Sequence, residues 1–306
     1  MNTKILKAHL ALLAAGSIWG LMAPVGKSAM DAGISNLSLA TMRMVGAAIC
    51  FWIASLFAPK EKVTKRDLGL LFFAGLISIV FNQGLFIFGL SLTSPIDASI
   101  ITTSLPIVTM ILAALFLKEP ATPLKITGVL MGTIGALILI LSNHDSPGDG
   151  GNIWGDIMCL IAQISFACYL TIFKGLISRY NIFTLMKWMF TYASICFIPF
   201  SFNNLSATFS QTFPVKVWLE VGYVVLFGTF FAYIFMLMGQ KALRPTIVSM
   251  YNYVQPIVGA SVTVLIGMGT FGWTKAFASA LIFAGVYVVT QSKSRQQIAT
   301  IEKHNK

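Results

Sequence analysis

Long apolar runs dominate the sequence, and their length decides the fold class before any motif is considered. Ten of them cover approximately residues 8–29, 36–57, 68–90, 96–117, 123–142, 152–173, 181–201, 215–238, 246–267 and 273–291. A helix needs about 20 predominantly apolar residues to cross the hydrocarbon core of a bilayer. Each run meets that length, and almost nothing is left over for a soluble domain. An outer-membrane barrel would show alternating segments of about ten residues instead. The expected fold is therefore all-α and integral to the membrane, with ten transmembrane helices. The first run follows Lys4 and Lys7 as a secretion signal would. Its apolar stretch exceeds the roughly 7–15 residues of a signal h-region, so it is read as the first span.

The formal net charge of +11 would suit nucleic acid, but the positions of the cations argue otherwise. With the N-terminus inside, sixteen of them, from Lys4 and Lys7 through Lys60, Lys118, Lys174 and Lys241 to Lys306, fall at cytoplasmic ends, while Lys27, Lys216 and Lys275 lie at outer ends. That bias is the positive-inside pattern, and an even number of spans returns the C-terminus to the cytoplasm. Nucleic acid is excluded as a partner, and a multi-pass protein of the cytoplasmic (inner) membrane is expected. Cys50, Cys159, Cys168 and Cys196 all lie within spans, where soft apolar packing is their ordinary use; free thiols and no metal site are expected. No HExxH, GxSxG or Walker sequence occurs, and His9, His144 and His304 have no catalytic neighbour. Enzymatic chemistry and cofactors are therefore not expected.

The chain repeats itself. A shift of 150 residues lays Gly89 on Gly239, Pro95 on Pro245, Ser99 on Ser249, the "PIV" at Pro106 on that at Pro256, and Gly135 on Gly285. Slightly smaller shifts place Lys27 on Lys174 and Arg43 on Lys187. With five spans in each half, the second copy enters the membrane from the opposite side. This is the inverted repeat of secondary transporters, whose substrate site lies near the midplane between the halves. The halves are expected at 1–143 and 152–292, joined by a polar outward-facing hinge and followed by a cytoplasmic tail, 293–306. One chain supplies both halves, so a monomer suffices and a dimer remains open.

Polar residues inside the spans are the candidates for function, because their burial in hydrocarbon is costly. In the ninth span Ser249, Asn252, Tyr253 and Pro256 share a helical face, as do Ser99, Thr102, Thr103 and Pro106 in the fourth. Pro24, Pro106 and Pro256 are candidate hinges, since proline removes a backbone bond and bends a helix. For Thr102 a purely structural role, bonding its own backbone, is an equal alternative. Asn252 and Tyr253 are expected to line a cavity. Trp19, too deep for an interfacial belt, serves either packing or substrate stacking. Asn82 with neighbouring Gln83, Gln163 and Tyr233 complete the expected lining.

Arg43 and Lys187 lie about two turns inside equivalent spans. Snorkelling explains either one, while their shared position suggests a gate or an anchor for a carboxylate. No Asp or Glu lies deep in a span, which speaks against proton-coupled export of organic cations, where a buried acid serves as relay and counter-ion.

The "WG" at Trp19 with a lysine at the helix end, "RMVGAA" from Arg43, and "LPIVTMILAALFLKEP" from Leu105 followed by "GVLMGTIGALILI", set in ten helices of two inverted copies, resemble the EamA-type exporters of the drug/metabolite transporter superfamily. The resemblance spans nearly the whole chain, with one departure: Glu119 has no counterpart after the ninth span, where "GMGTFGW" stands. It implies an inner-membrane carrier that exports amino acids or related metabolites by alternating access through a central cavity. The resulting expectation is amino-acid export. Multidrug efflux, translocation of a lipid-linked metabolite, and a non-transport membrane scaffold remain as alternatives, and the expected partners are a small-molecule substrate and the lipid bilayer.

Overall fold

The computed structural model describes residues 3–92, 101–141, 153–265 and 273–292. Among these every regular element is helical. The first half contains α1 (Thr3–Asp31), α2 (Asn36–Leu56), α3 (Lys65–Gly75), a π turn (Leu76–Phe81), α4 (Asn82–Leu92), α5 (Leu105–Leu117) and α6 (Pro123–Leu141). The second contains α7 (Ile153–Ile172), the short α8 (Lys174–Arg179), α9 (Ile182–Ser210), α10 (Val215–Val225), a second π turn (Leu226–Phe231) and α11 (Ala232–Ala242). It continues with α12 (Pro245–Met250), a 3₁₀ turn (Tyr251–Tyr253), α13 (Val254–Leu265) and α14 (Trp273–Gln291). Six helical stretches are long and apolar enough to cross a membrane, and shorter apolar helices accompany them. The hinge from Asn143 to Gly151, the C-terminal tail, His144, His304, Asp97 and Ser99 lie outside the described residues, as do the side chains of Pro24, Lys27 and Lys275.

Helix starts follow local chemistry. The hydroxyl of Ser35 accepts from the Ser38 amide, that of Thr64 from the Asp67 amide, and the Asn181 amide oxygen from Phe183 N–H. These are N-caps that satisfy donors the helix itself leaves open. Pro123 and Pro245 stand in first turns, where the missing N–H costs nothing.

Several elements of the two halves match in length. Lys65–Gly75, the π turn and Asn82–Leu92 have 11, 6 and 11 residues, as do Val215–Val225, its π turn and Ala232–Ala242. α6 and α14 have 19 residues each and pack against one another through glycine. A Cβ on Gly135 would stand 2.8 Å from the Ala278 carbonyl, and one on Gly285 would stand 2.6 Å from the Gly128 carbonyl. These are the same contact twice with the halves exchanged, as in a twofold interface where residue i meets j and j meets i. α2 and α9 also pack together: Phe51 stacks on Phe190 at 5.5 Å and Trp52 meets Trp188 edge-on at 5.4 Å.

The interior holds Met44, Phe51, Leu71, Ile79, Leu185, Met186 and Phe190 at full burial. Outside, Trp273 is 93% exposed, Phe57 88% and Phe200 81%. In water so much exposed apolar surface would drive association; against acyl chains it is solvated.

The fourth apolar run is not one continuous helix. Thr103 and Ser104 form a turn, and α5 restarts at Leu105 with Pro106 in its first turn. The ninth is interrupted at the equivalent place by the 3₁₀ turn Tyr251–Tyr253, with Pro256 in the first turn of α13. Each proline thus opens a helix segment rather than bending an intact one, because the first turn is where its missing donor is tolerated.

Candidate functional site

The two breaks face each other across a cavity of about 140 Å³. Thr102 borders it from one break and Asn252 from the other; α1 contributes Trp19, α2 Arg43, α4 Asn82 and Gln83, α7 Gln163, and α11 Tyr233. Met22, Phe86, Ile87, Phe166 and Gln255 complete the wall. Both halves contribute, and apolar or aromatic surface surrounds a few polar groups, the usual composition of a small-molecule site.

Several of the polar side chains are held from behind. Trp19 donates from Nε1 to the Gly228 carbonyl at 3.0 Å and meets Tyr233 edge-on at 5.8 Å. Gly228 belongs to the second π turn, whose irregular backbone frees a carbonyl for an outside donor. Asn82 donates to the Ala162 carbonyl at 2.9 Å, and Gln255 donates to the Asn252 side-chain oxygen at 2.7 Å. Gln83 donates to the Tyr233 hydroxyl. Arg43, 8% exposed, donates from Nε to the Thr229 hydroxyl at 3.0 Å. Among the described residues no Asp or Glu lines the cavity. Trp19 and Asn252 also border a second space of about 10 Å³, room for one water.

Two candidates lie elsewhere. Tyr253 is 1% exposed and points between helices, its hydroxyl 2.6 Å from that of Thr133 and donating to the Thr103 carbonyl at 3.2 Å. Lys187 lies over the Trp52 ring, 4.6 Å from its centre, and does not border the cavity. The prolines act through the backbone: Pro106 is buried in α5 and Pro256 half-buried in α13. His9 is half-buried, with Nδ1 2.7 Å from the Tyr251 hydroxyl, rather than a plain surface residue.

Gln255 escaped the sequence reading because it is off the Ser249–Pro256 face of a regular helix. Phe86, Ile87 and Phe166 carry no signal in sequence, since apolar residues are everywhere in such a chain.

The basic end of the molecule is tied by ion pairs and hydrogen bonds. Lys125, 1% exposed, pairs with Glu119 at 2.8 Å, and Thr246 donates to the same carboxylate oxygen at 3.2 Å. Tyr180 donates to Asp67 at 2.6 Å, and Arg179 reaches the other oxygen at 3.2 Å. That bond to Asp67 holds the Tyr180 phenol above its ordinary pKa. Lys174 donates to the Leu243 carbonyl at 2.8 Å, and burial lowers its pKa to about 8, against the opposing attraction of Glu119.

The EamA-like transporter family matches residues 6–141 and 153–291. The chain belongs to this family. An uncharacterized transporter of Archaeoglobus fulgidus is 23% identical over 94% of this chain and 100% of its own. A WAT1-related protein of Arabidopsis thaliana is 23% identical over 88% of this chain and 74% of its own. The uncharacterized transporter YetK of Bacillus subtilis is 20% identical over 95% and 89%. A solved crystal structure shares the fold, with a TM-score of 0.76 at 18% identity over 92% of this chain and 96% of that one. Family membership and the apolar helices make this EamA protein a multi-pass membrane transporter, and the names of its relatives point to transport rather than catalysis.

Proposed function

We propose that this EamA transporter exports a small amino acid across the cytoplasmic membrane by alternating access. In this reading ten spans form two inverted five-helix halves, 1–143 and 152–292, with both termini cytoplasmic and one chain sufficient. The observation that carries the proposal is the cavity at the junction of the halves. Amides from Asn82, Gln83, Gln163 and Asn252, the aromatic rings of Trp19 and Tyr233, and one guanidinium surround a space of about 140 Å³.

Aromatic rings and amides suit a compact solute with an apolar side chain and both donor and acceptor groups. The Gln83 Oε1, buried with no hydrogen-bond partner among the described residues, is an acceptor that an α-ammonium group would satisfy. The absence of an acid among the described lining residues disfavours a hydrophobic cation as cargo. Helix breaks before Pro106 and Pro256, one in each half, supply places where segments can rock about a fixed site.

The test is counterflow. Proteoliposomes of the purified protein, preloaded with one amino acid at a time, are expected to take up the same labelled amino acid with saturation. If no amino acid gives saturable counterflow while hydrophobic cations or lipid-linked metabolites do, the substrate assignment is wrong.

A further inference from the structure

The cavity contains one full charge, and among the described residues nothing on the protein balances it. Arg43 is buried and borders the cavity, and among the described residues its single hydrogen bond is the one from Nε to Thr229. A guanidinium offers five donors, so among the described residues the Nη groups are left without a protein acceptor. The three ion pairs among the described residues, Lys125–Glu119, Arg179–Asp67 and Lys216–Glu220, all lie elsewhere. A buried cation is ordinarily paired, because an unpaired one gives up its hydration without return. One that faces a cavity can be paired by what enters it.

The surroundings hold the guanidinium in one pose. Thr229 sits in the second π turn, and its hydroxyl proton is already donated to the Val224 carbonyl at 2.9 Å. It can therefore only accept from Arg43, which fixes Nε and with it the plane of the fork. The equivalent cation of the other half is spent differently, since Lys187 lies over Trp52. The charge is thus one-sided in a cavity built from both halves, and a ligand that pairs with it has a single preferred orientation.

We propose that Arg43 binds the carboxylate of the transported molecule and makes a carboxylate the group every substrate must carry. A planar fork of N–H donors matches a carboxylate with two parallel hydrogen bonds, which an ammonium cannot reproduce. This inference rests on the transport reading above and narrows it. Within it, an amino acid is recognised first through its carboxylate, and Gln83 takes the ammonium when a torsion of its amide, soft for such groups, turns Oε1 inward.

The experiment uses the native protein first. Counterflow of one transported amino acid is challenged with its decarboxylated amine, its carboxamide and its deaminated acid. The amine and the carboxamide are expected to compete about tenfold to hundredfold more weakly than the parent, as loss of a charged hydrogen-bond partner implies, while the deaminated acid stays closer to it. Arg43→Gln is expected to raise KM by a similar factor, and Arg43→Lys, which keeps the charge without the fork, by less.

An amine that competes as well as the parent, or an Arg43→Gln protein with unchanged KM, overturns the role of Arg43 while leaving transport itself intact. Absence of counterflow for every carboxylate tried overturns both. Should Arg43→Gln fail to fold, the analogue series on the native protein decides alone.

Discussion

Gln83 donates a hydrogen bond to the hydroxyl of Tyr233, the residue 150 positions further along the chain. Tyr253 does the same with the carbonyl of Thr103, again at a separation of 150. In a twofold arrangement a residue that bonds its own counterpart lies on the axis. Both bonds therefore mark the line on which the halves meet, and the first of them stands in the cavity wall.

The axial pair gives the first prediction. Tyr233→Phe and Gln83→Leu, made singly and together, should show a coupling energy of about 0.6–1.7 kcal/mol, the range for interhelical polar contacts in membranes. Thermal unfolding in nanodiscs measures it. Strict additivity of the two changes would show that the bond contributes nothing.

The glycine crossing gives the second. A methyl group on Gly128 or Gly285 meets backbone at 2.8 or 2.6 Å, and backbone cannot step aside as a flexible side chain can. Gly128→Ala and Gly285→Ala should each cost about 1–3 kcal/mol. Gly175, in α8 with no atom within 4 Å of its added methyl, is the contrast: Gly175→Ala should be neutral or stabilise by about 0.5–1 kcal/mol through helix propensity. Equal loss in all three would show that close approach is not the cause.

Adjacent residues in the 3₁₀ turn should separate binding from stability. Asn252→Ala should raise KM about twofold to tenfold with little change in unfolding temperature, as the loss of one hydrogen bond implies. Tyr253→Phe removes the hydroxyl that bonds Thr133 and Thr103, and should cost about 1 kcal/mol of stability without moving KM. A larger KM effect at Tyr253 than at Asn252 would reverse the assignment.

Lys174 provides a dependence on pH. Its ammonium ionises near 8 in the folded protein against an ordinary value of 10.5, so between these values the unfolded chain binds more protons. Stability contributed at this position therefore rises as pH increases from about 8 to about 10.5 and is level below 8. Unfolding midpoints measured across that window should climb less in Lys174→Met than in the unaltered protein. Identical slopes would remove Lys174 as the source.

Much of the architecture was legible because apolar length and the 150-residue shift are properties of the sequence alone, and the π turns, α6 and α14 fall at that offset. The polar face of the ninth span was legible only in part. A regular helix advances about 100° per residue, while a 3₁₀ turn advances about 120°. Neighbours in either geometry point in different directions, and here Asn252 meets the cavity while Tyr253 meets Thr133 and Thr103. Arg43 and Lys187 look alike in sequence. Their separation depends on Thr229 and Trp52, partners more than a hundred positions away from each, which no local pattern announces.

The two π turns also constrain the length of the chain. Each accommodates a surplus residue within a continuous helix, so removing one residue from Leu76–Phe81 would restore a regular helix and rotate everything beyond it by about 100° relative to what precedes it. Gln83 would then leave the line it shares with Tyr233, although no polar residue had been altered. Within this stretch the count of residues is as much a part of the cavity as their chemistry, and a one-residue deletion acts as a rotation rather than a loss.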